Sequence, residues 1–434
     1  MRGTLCFPML AAAGLVASAS AALAQDQPVP APVPPQIAQQ LDVQQDVGVM
    51  DRLRPAYDAK GIPLGGFRLF PQLDVSSAYD DNVYLLPSAQ SDWVFTEIGS
   101  ARLVSEWGRH FLEFYSGVNN YNYATYSALN LTDWNVGGDG RYDIARGVSV
   151  SAAGSYGEYH EPLYSPNTLG TQAAPNRFYK GHAETTAVYQ PNRLGFGAGF
   201  SYDRFDFNNA PLVGGGVINN ADRDEDEYQA YVRSNYDFSP GYSAFVKASY
   251  DSRSFDQFLD RDGFHRASNG FRGDVGVDLQ ISNLLRGEVY VGYLEQHFDQ
   301  HQVTPLKNIN GLDFGGQLDW YATQLMTVHL TASHQISDIT LANVSASDDE
   351  LVKLSADYEL GYNLIAQGYG GYVHSKLEGI TRADDYPTAG VSLKYLVDTH
   401  FSADLSYNYR DRSSNVPGVN FTDNIISFGI TGHI

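Results

Sequence analysis

Long stretches of this chain alternate between apolar and polar side chains. In the clearest one, Phe401, Leu405 and Tyr407 share one phase, while Asp404 and Arg410 occupy the other. Successive side chains of a β-strand point to opposite faces, so this stretch predicts a strand with one apolar and one polar face. The same alternation runs through residues 271–281, 312–321 and 352–360.

Such alternating stretches recur along the chain, and the reversals between consecutive stretches are tight and long in turn. Residues 145–146 form a tight reversal, whereas residues 161–176 form a long one. This rhythm predicts an all-β fold, a transmembrane antiparallel up-and-down β-barrel of about 18 strands (about 16–20), with short periplasmic turns and long extracellular loops. The predicted strands are 66–80, 93–105, 110–124, 131–144, 147–160, 177–190, 193–207, 224–238, 241–255, 268–281, 284–299, 308–322, 325–338, 348–361, 363–378, 384–397, 399–412 and 422–434.

Two other segments precede the barrel, which is expected to occupy residues 62–434. Residues 1–24 have a positive start at Arg2, an apolar run and an A-x-A motif ending at Ala24, which predicts a secretory signal peptide. Cys6, the single cysteine, lies inside it, so disulfides and thiolate chemistry are excluded from the mature chain. Residues 25–61 begin with a proline-rich run and predict a periplasmic leader or linker.

The charge of the chain excludes one class of partner. The formal net charge is −22, and an acidic chain is poorly suited to the phosphates of nucleic acid. The apolar strand faces instead predict a bacterial outer-membrane location, with lipid and lipopolysaccharide around the barrel. The last strand ends on Ile434 in the apolar phase, which predicts insertion by the outer-membrane assembly machinery.

Charged residues on the polar phase are candidates for the wall of the lumen, because charge in hydrocarbon is costly. Acidic residues, among them Glu97, outnumber basic ones on this phase. Two interpretations stay open: a solvated wall with cross-strand ion pairs, or a filter with a weak cation preference or a polar track for a sugar chain. The lumen candidates are Asp274, Asp278, Asp313, Asp319, Asp357, Glu359, Asp404, Arg233, Arg272, Lys353 and Arg410.

Other chemistry has weak support. The run from Asn219 to Glu227 is dense in oxygen ligands that could hold Ca²⁺, but it lacks the spacing and the glycine of an EF-hand loop. A solvated loop leading into a strand is therefore the favoured interpretation. The 11 histidines show no metal-binding spacing, and no catalytic motif is present. We predict no metal site, no cofactor and no enzymatic activity.

Four segments resemble a family of bacterial outer-membrane proteins, the putative β-barrel porin type 2 family. They are residues 51–71, 79–82, 219–224 and 236–242. Some members accompany exopolysaccharide or capsule export systems, so the resemblance implies polysaccharide and periplasmic export components as partners. We expect a channel for polar solutes or polysaccharide. The alternative is a plugged structural or adhesive barrel that binds partners through its extracellular loops.

Overall fold

The computed structural model describes residues 47–167, 172–281, 284–299 and 305–434. The predicted signal peptide, residues 25–46 of the predicted leader and the predicted reversal at 282–283 lie outside the described residues. Within them the chain is almost entirely β-structure, with two short 3-10 turns at Ser127–Leu129 and Ala221–Arg223. These residues contain no helix that is long and apolar enough to cross a membrane.

The strands follow one another around a single sheet that closes on itself. A 19-stranded sheet consists of 18 long strands and the short β1, while β9 and β10 form a separate two-stranded ribbon in a connection. The strands are β1 Ile62–Leu64, β2 Phe67–Asp80, β3 Asp92–Ser105, β4 Phe111–Tyr123, β5 Leu131–Ala145, β6 Val148–His160, β7 Arg177–Tyr189, β8 Leu194–Phe207, β9 Ala210–Pro211, β10 Val217–Ile218, β11 Glu225–Ser239, β12 Tyr242–Phe255, β13 Ser268–Ile281, β14 Leu285–Phe298, β15 Ile309–Thr323, β16 Met326–Asp338, β17 Ala346–Gly361, β18 Leu364–Leu377, β19 Ala383–Leu396, β20 Phe401–Ser414 and β21 Phe421–His433.

Closure is made by the first and last long strands. β2 pairs with β21 in an antiparallel register that runs from Gln72 opposite His433 to Asp80 opposite Ile425. Every other long strand pairs with its neighbours in the chain, and β8 pairs with β11 across the inserted ribbon. The predicted antiparallel barrel of 18 strands is confirmed, and each strand begins and ends within two residues of its predicted bounds.

The two faces of the wall differ in composition as the alternation predicts. Leu405 is 50% exposed and faces outward, whereas Asp313 is buried on the opposite face. Arg233 on β11 reaches past β12 to contact Asp278 on β13 and Glu288 on β14. Side chains on strands that are not neighbours converge on the concave side of a curved sheet, so the polar face is the inner one.

One acidic candidate faces the other way. Glu97 on β3 is exposed, and it pairs across the strands with the outward-facing Val75. Asn120 on β4 donates a hydrogen bond to the Glu97 carboxylate at 2.9 Å, and Asn120 in turn accepts one from Thr132. The prediction that Glu97 faces the lumen is therefore wrong. Polar partners on two neighbouring strands satisfy this carboxylate on the outer face, and the sequence of one strand does not show them.

The two ends of the barrel differ in the length of their connections. We call the end with the tight reversals the turn rim, and the end with the long connections the loop rim. Gly147 shows why the turns are tight, since its φ of 71° is a left-handed conformation that suits glycine. A Cβ there would lie 2.1 Å from the carbonyl oxygen of Gln190 in the adjacent turn.

The regular wall is interrupted between β15 and β16. Their backbone pairing extends from the turn rim to Gly315 opposite Ser333 and stops there, although both strands continue toward the loop rim. Beyond this point, the backbone carbonyls of His334 and Ile336 accept hydrogen bonds from the side chains of Arg272 and Arg253. The loop-rim end of β16 is therefore not paired with β15, whereas it remains paired with β17.

Candidate functional site

The inner wall carries its charges in groups of opposite sign. A guanidinium nitrogen of Arg233 lies 2.6 Å from a carboxylate oxygen of Asp278, and another lies 3.0 Å from Glu288. Arg272 lies 3.3 Å from Asp313, whose side chain is almost fully buried. Because these groups contain their own counter-charges, the wall resembles the expected solvated wall with ion pairs more than an open acidic filter.

A histidine joins two more of the predicted lumen carboxylates. His329 on β16 places its Nδ1 2.6 Å from Asp319 on β15 and its Nε2 3.1 Å from Asp357 on β17. Gln367 on β18 also donates to Asp357, at 2.9 Å. These four side chains form a polar belt across adjacent strands, β15 to β18, on the turn-rim half of the wall.

The remaining predicted residues lie apart from these groups, except Asp274, which is buried beside Asp313. Lys353 places its ammonium 4.9 Å from the centre of the Tyr369 ring, and none of the described carboxylates lies within ion-pair distance of it. Arg410 donates to Asp423 at 2.5 Å. Asp404 on β20 lies beside Gly429 on β21. A Cβ on Gly429 would lie 2.6 Å from a carboxylate oxygen of Asp404.

A cavity of about 160 Å³ lies inside the wall formed by β17 to β21. Lys353, Tyr369, Asn408 and Arg410 line it, and Tyr164 reaches it from the long connection at residues 161–176. Tyr369 donates to Asn408 at 2.9 Å. Hydroxyl, amide and cationic groups therefore converge with aromatic rings on one space within the barrel, which suits a polar solute.

A segment of the predicted leader lies at the turn rim. Val49 is fully buried, and its N–H donates to the Thr327 hydroxyl at 3.0 Å. Arg52 and Arg54 each donate to the same carboxylate oxygen of Glu359, at 2.9 Å in both cases. Glu359 is one of the predicted lumen residues. Its contacts show that residues 47–58, which we call the inner leader, occupy the mouth at this rim.

A strand hairpin covers the opposite mouth. We call residues 334–350, the outer ends of β16 and β17 with their connection, the inner hairpin. Ile336 is 2% exposed and packs against Leu294 and Ile309, which point inward from β14 and β15. Asp338 accepts a hydrogen bond at 2.9 Å from Arg253 on β12, with three strands between β12 and β16. The hairpin therefore lies across the inside of the loop rim.

Residues 161–167, the first part of the connection after β6, meet the inner hairpin over the lumen. The side-chain oxygen of Asn167 accepts from the backbone N–H of Thr340 at 2.8 Å. The carbonyl of Tyr164 accepts from Arg412 on β20, also at 2.8 Å. This connection begins between β6 and β7, so these contacts carry it to the opposite side of the barrel.

Buried ion pairs anchor that connection. Arg223 donates to one oxygen of Glu161 at 2.9 Å and also contacts the other, and Asn176 donates to the same carboxylate at 2.8 Å. Burial alone would raise the pKa of Glu161, but the guanidinium of Arg223 and these hydrogen bonds hold that pKa below its usual range. The carboxylate is therefore ionised at neutral pH, and the anchor is an ion pair.

The sequence did not indicate the residues that close the two rims. His329 belongs to no motif, and Asp338 falls on the apolar phase of its strand. Arg52 and Arg54 lie in segment 51–71, which carries the family resemblance, but that segment does not indicate their contact with Glu359. One signal was available, since Asp348, Asp349 and Glu350 are three consecutive acidic residues that break the alternation. Such a run indicates that neither face of β17 lies in lipid at the start of the strand.

The family of the chain follows from its sequence. Residues 54–433 match the family described as putative beta-barrel porin 2. The chain belongs to this family. The match covers nearly the whole barrel, so the protein is a porin-like outer-membrane β-barrel, and the expected resemblance is confirmed. No curated protein matches this porin-family chain.

Solved structures give similar barrels. OpdL from Pseudomonas aeruginosa is 12% identical with a TM-score of 0.44, and the alignment covers 86% of this chain and 99% of OpdL. The copper transporter OprC is 9% identical with a TM-score of 0.48, covering 86% of this chain and 82% of OprC. The siderophore receptor PirA from Pseudomonas aeruginosa is 9% identical with a TM-score of 0.45, covering 85% of this chain and 80% of PirA. The assignment of this chain to the β-barrel fold rests on the strand pairing described above.

Proposed function

We propose that this porin-family barrel is a bacterial outer-membrane channel for polar solutes or polysaccharide, and that it serves an exopolysaccharide export system. The observation that carries the channel is the charged inner wall, on which ion pairs such as Arg233 with Asp278 bridge strands that are not neighbours. Barrels of about eight strands are filled by their own side chains, whereas barrels of about 16–18 strands are wide enough to leave an aqueous channel. A polar wall in a wide barrel suits an aqueous path.

The two closures fit a channel in its closed state. The inner leader and the inner hairpin are held to the wall by ion pairs and hydrogen bonds. We place the loop rim at the cell surface and the turn rim in the periplasm, as is general for such barrels. Export components in the periplasm would then meet the inner leader, and polysaccharide would pass toward the loop rim.

Thiol modification on one strand tests the path directly. Lys353→Cys places a thiol on the inner face beside the cavity, and Leu354→Cys places one on the outer face one residue away. In planar bilayers, a charged thiosulfonate should lower the conductance of Lys353→Cys and leave that of Leu354→Cys unchanged. Equal responses would contradict an inner aqueous path at this strand.

The export role needs a cellular test. Cells without this protein should secrete less exopolysaccharide and retain it in the periplasm, and plasmid-borne wild-type protein should restore secretion. Unchanged secretion would contradict the export role and leave a channel for small polar solutes.

The covered loop rim favours a second function, a plugged structural or adhesive barrel. The inner hairpin and residues 161–167 of the connection after β6 meet over the lumen, where Thr340 donates a hydrogen bond to Asn167. In that case wild-type protein and hairpin variants should all lack conductance. Deleting surface-exposed connections should then reduce cell adhesion.

A further inference from the structure

We propose that a divalent cation of the Ca²⁺ class clamps the inner hairpin to the barrel wall. Its ligands are Glu225 and Glu227 on β11 and Asp338 at the end of β16. One carboxylate oxygen from each residue lies within 4.8 Å of the other two. Glu225 and Glu227 belong to the acidic run noted in the sequence, and the structure adds Asp338 from a strand far along the chain.

Unpartnered buried oxygens point to a ligand at this place. Glu225 is 6% exposed, yet its Oε2 accepts no hydrogen bond from any described residue. Oε1 of Glu227 likewise accepts none from the described residues, although it lies 3.5 Å from Nε of Arg253. A buried carboxylate oxygen without a donor is costly, and native proteins satisfy nearly all such groups. Both atoms belong to the residues of the cluster, so a single cation between them would satisfy both.

The charge balance supports the same conclusion. Arg253 donates to Asp338 at 2.9 Å, and its Nε lies 3.5 Å from Glu227 and 3.8 Å from Asp251. With Glu225, four carboxylates share this one guanidinium. The nearby cations Lys180 and Arg223 are engaged by Asp203 and Glu161. Buried charge without a counter-charge is unfavourable, and a divalent cation would neutralise the excess.

The ligand set selects the kind of ion. All three residues offer carboxylate oxygens, which suit hard cations, whereas zinc and copper favour histidine nitrogen or cysteine sulfur. Ca²⁺ binds oxygen at about 2.3–2.6 Å, so oxygens on opposite sides of one ion stand about 5 Å apart. The spacing of the cluster fits this. Mg²⁺ requires a stricter octahedron, which three ligands from two separate strands do not preform.

The site joins two parts of the wall that backbone pairing does not join. Glu225 and Glu227 lie on the regular sheet, and Asp338 lies on the strand end that has left β15. Bound Ca²⁺ would hold the hairpin over the lumen, and its removal would leave mutually repelling carboxylates that push the hairpin away. This gating role rests on the proposed channel function, whereas binding of the ion does not.

The first experiment measures Ca²⁺ binding to the full-length mature protein in detergent. The protein is stripped of bound cations with EGTA, and the EGTA is then removed. In equilibrium dialysis, wild type should bind Ca²⁺ with a Kd of about 10⁻⁴–10⁻³ M, as extracellular modules do. Glu225→Gln, Glu227→Gln and Asp338→Asn should each weaken binding about tenfold or more, because each removes a charged ligand. Heat-modifiable migration on gels establishes that each variant is folded.

A second acidic group supplies the matched control. Asp80, Asp81 and Asp423 also lie close together, and Arg410 donates to Asp423 as Arg253 does to Asp338, so this group matches the proposed site but lies on other strands. Asp423→Asn should leave binding at the proposed site unchanged. If wild type binds no Ca²⁺ at millimolar concentration, or if the folded Asp338→Asn and Glu227→Gln variants bind as wild type does, the site is refuted.

Gating is measured by single-channel recording in Ca²⁺ and in EGTA. Wild type should open more often in EGTA, and Asp338→Asn should open equally in both. If the ion binds as proposed and wild-type openings do not respond to EGTA, the gating role is refuted. If the ion binds and no condition or variant conducts, the channel function fails and the cation site stands.

Discussion

The turn-rim half and the loop-rim half of this barrel are held together differently. In the turn-rim half, backbone pairing joins every two neighbouring strands, with register shifts only beside turns, as between Trp320 and Thr323, and β15 and β16 are paired up to Gly315 opposite Ser333. In the loop-rim half, β16 leaves β15 and turns inward. There, side chains such as Arg253 and Ile336 make the contacts that backbone groups make elsewhere.

The difference separates a fixed wall from a closure that depends on conditions. A backbone ladder uses groups that every residue has, and it does not respond to charge. An ion pair exists only while both partners are charged, and a buried one is costly when one partner is missing. The inner hairpin should therefore respond to charge-changing substitutions that the regular wall tolerates.

The largest effect is expected from Arg253→Met. Removing one partner of a buried ion pair costs about 3–5 kcal/mol, because Asp338 and Glu227 would be left without their guanidinium. The inner hairpin should open while the barrel stays folded. Limited proteolysis should then cut residues 334–350, and conductance should rise.

The control for Arg253→Met is Arg68→Met. Arg68 pairs with Glu106 at 2.7 Å, and both side chains are partly exposed near the turn rim. Such a pair contributes about 0–1 kcal/mol, so this variant should behave as wild type. The proteolysis is done in EGTA, so that no divalent cation holds the hairpin, and a hairpin that remains protected in Arg253→Met would then show that its apolar packing is sufficient.

The next largest effect tests the regular wall. Leu405→Arg places a charge on the outer face, at a cost of about 2–4 kcal/mol near mid-membrane, and should reduce the folded fraction. Asp404→Arg, one residue away on the inner face, should fold normally. Heat-modifiable migration of both variants in lipid vesicles measures this, and equal folding would contradict the face assignment for β20.

The sequence predicted the wall well because the wall follows a local rule. Alternation along one strand indicates its faces, and turn length indicates the order of the strands, so all 18 strands were found. Glu97 shows where the rule fails, since its partner Asn120 lies on another strand. The inner hairpin was missed for the same reason. Asp338 and Arg253 are 85 residues apart, and no pattern along the chain connects them.

A smaller effect is expected at the turn rim, where the inner leader meets the wall. Glu359→Gln removes the charge that Arg52 and Arg54 share, and a hydrogen bond to a charged group contributes about 1.5–3 kcal/mol. The leader should detach, and trypsin should then cut after Arg52. Glu113→Gln alters an ion pair with Arg102 on the wall and should leave the leader protected. Equal cleavage of both variants would contradict this anchor.

The smallest effect concerns ion selectivity, because the wall balances most of its own charge. We expect a weak cation preference in wild-type channels, since carboxylates exceed cations on the inner face and the pairs with Arg233 and Arg272 reduce the excess. Replacing Asp274, Asp278, Asp313 and Asp319 with Asn removes the carboxylate partner of Arg272 and one of the two partners of Arg233, which keeps Glu288, and should move the reversal potential toward anions. The shift should be larger at 0.1 M salt than at 1 M, because the Debye length falls from about 10 Å to about 3 Å. A clear anion preference in wild type would contradict the charge assigned to the wall, and an equal shift at both salt concentrations would show that Arg233 and Arg272 act by direct contact with the permeating ion.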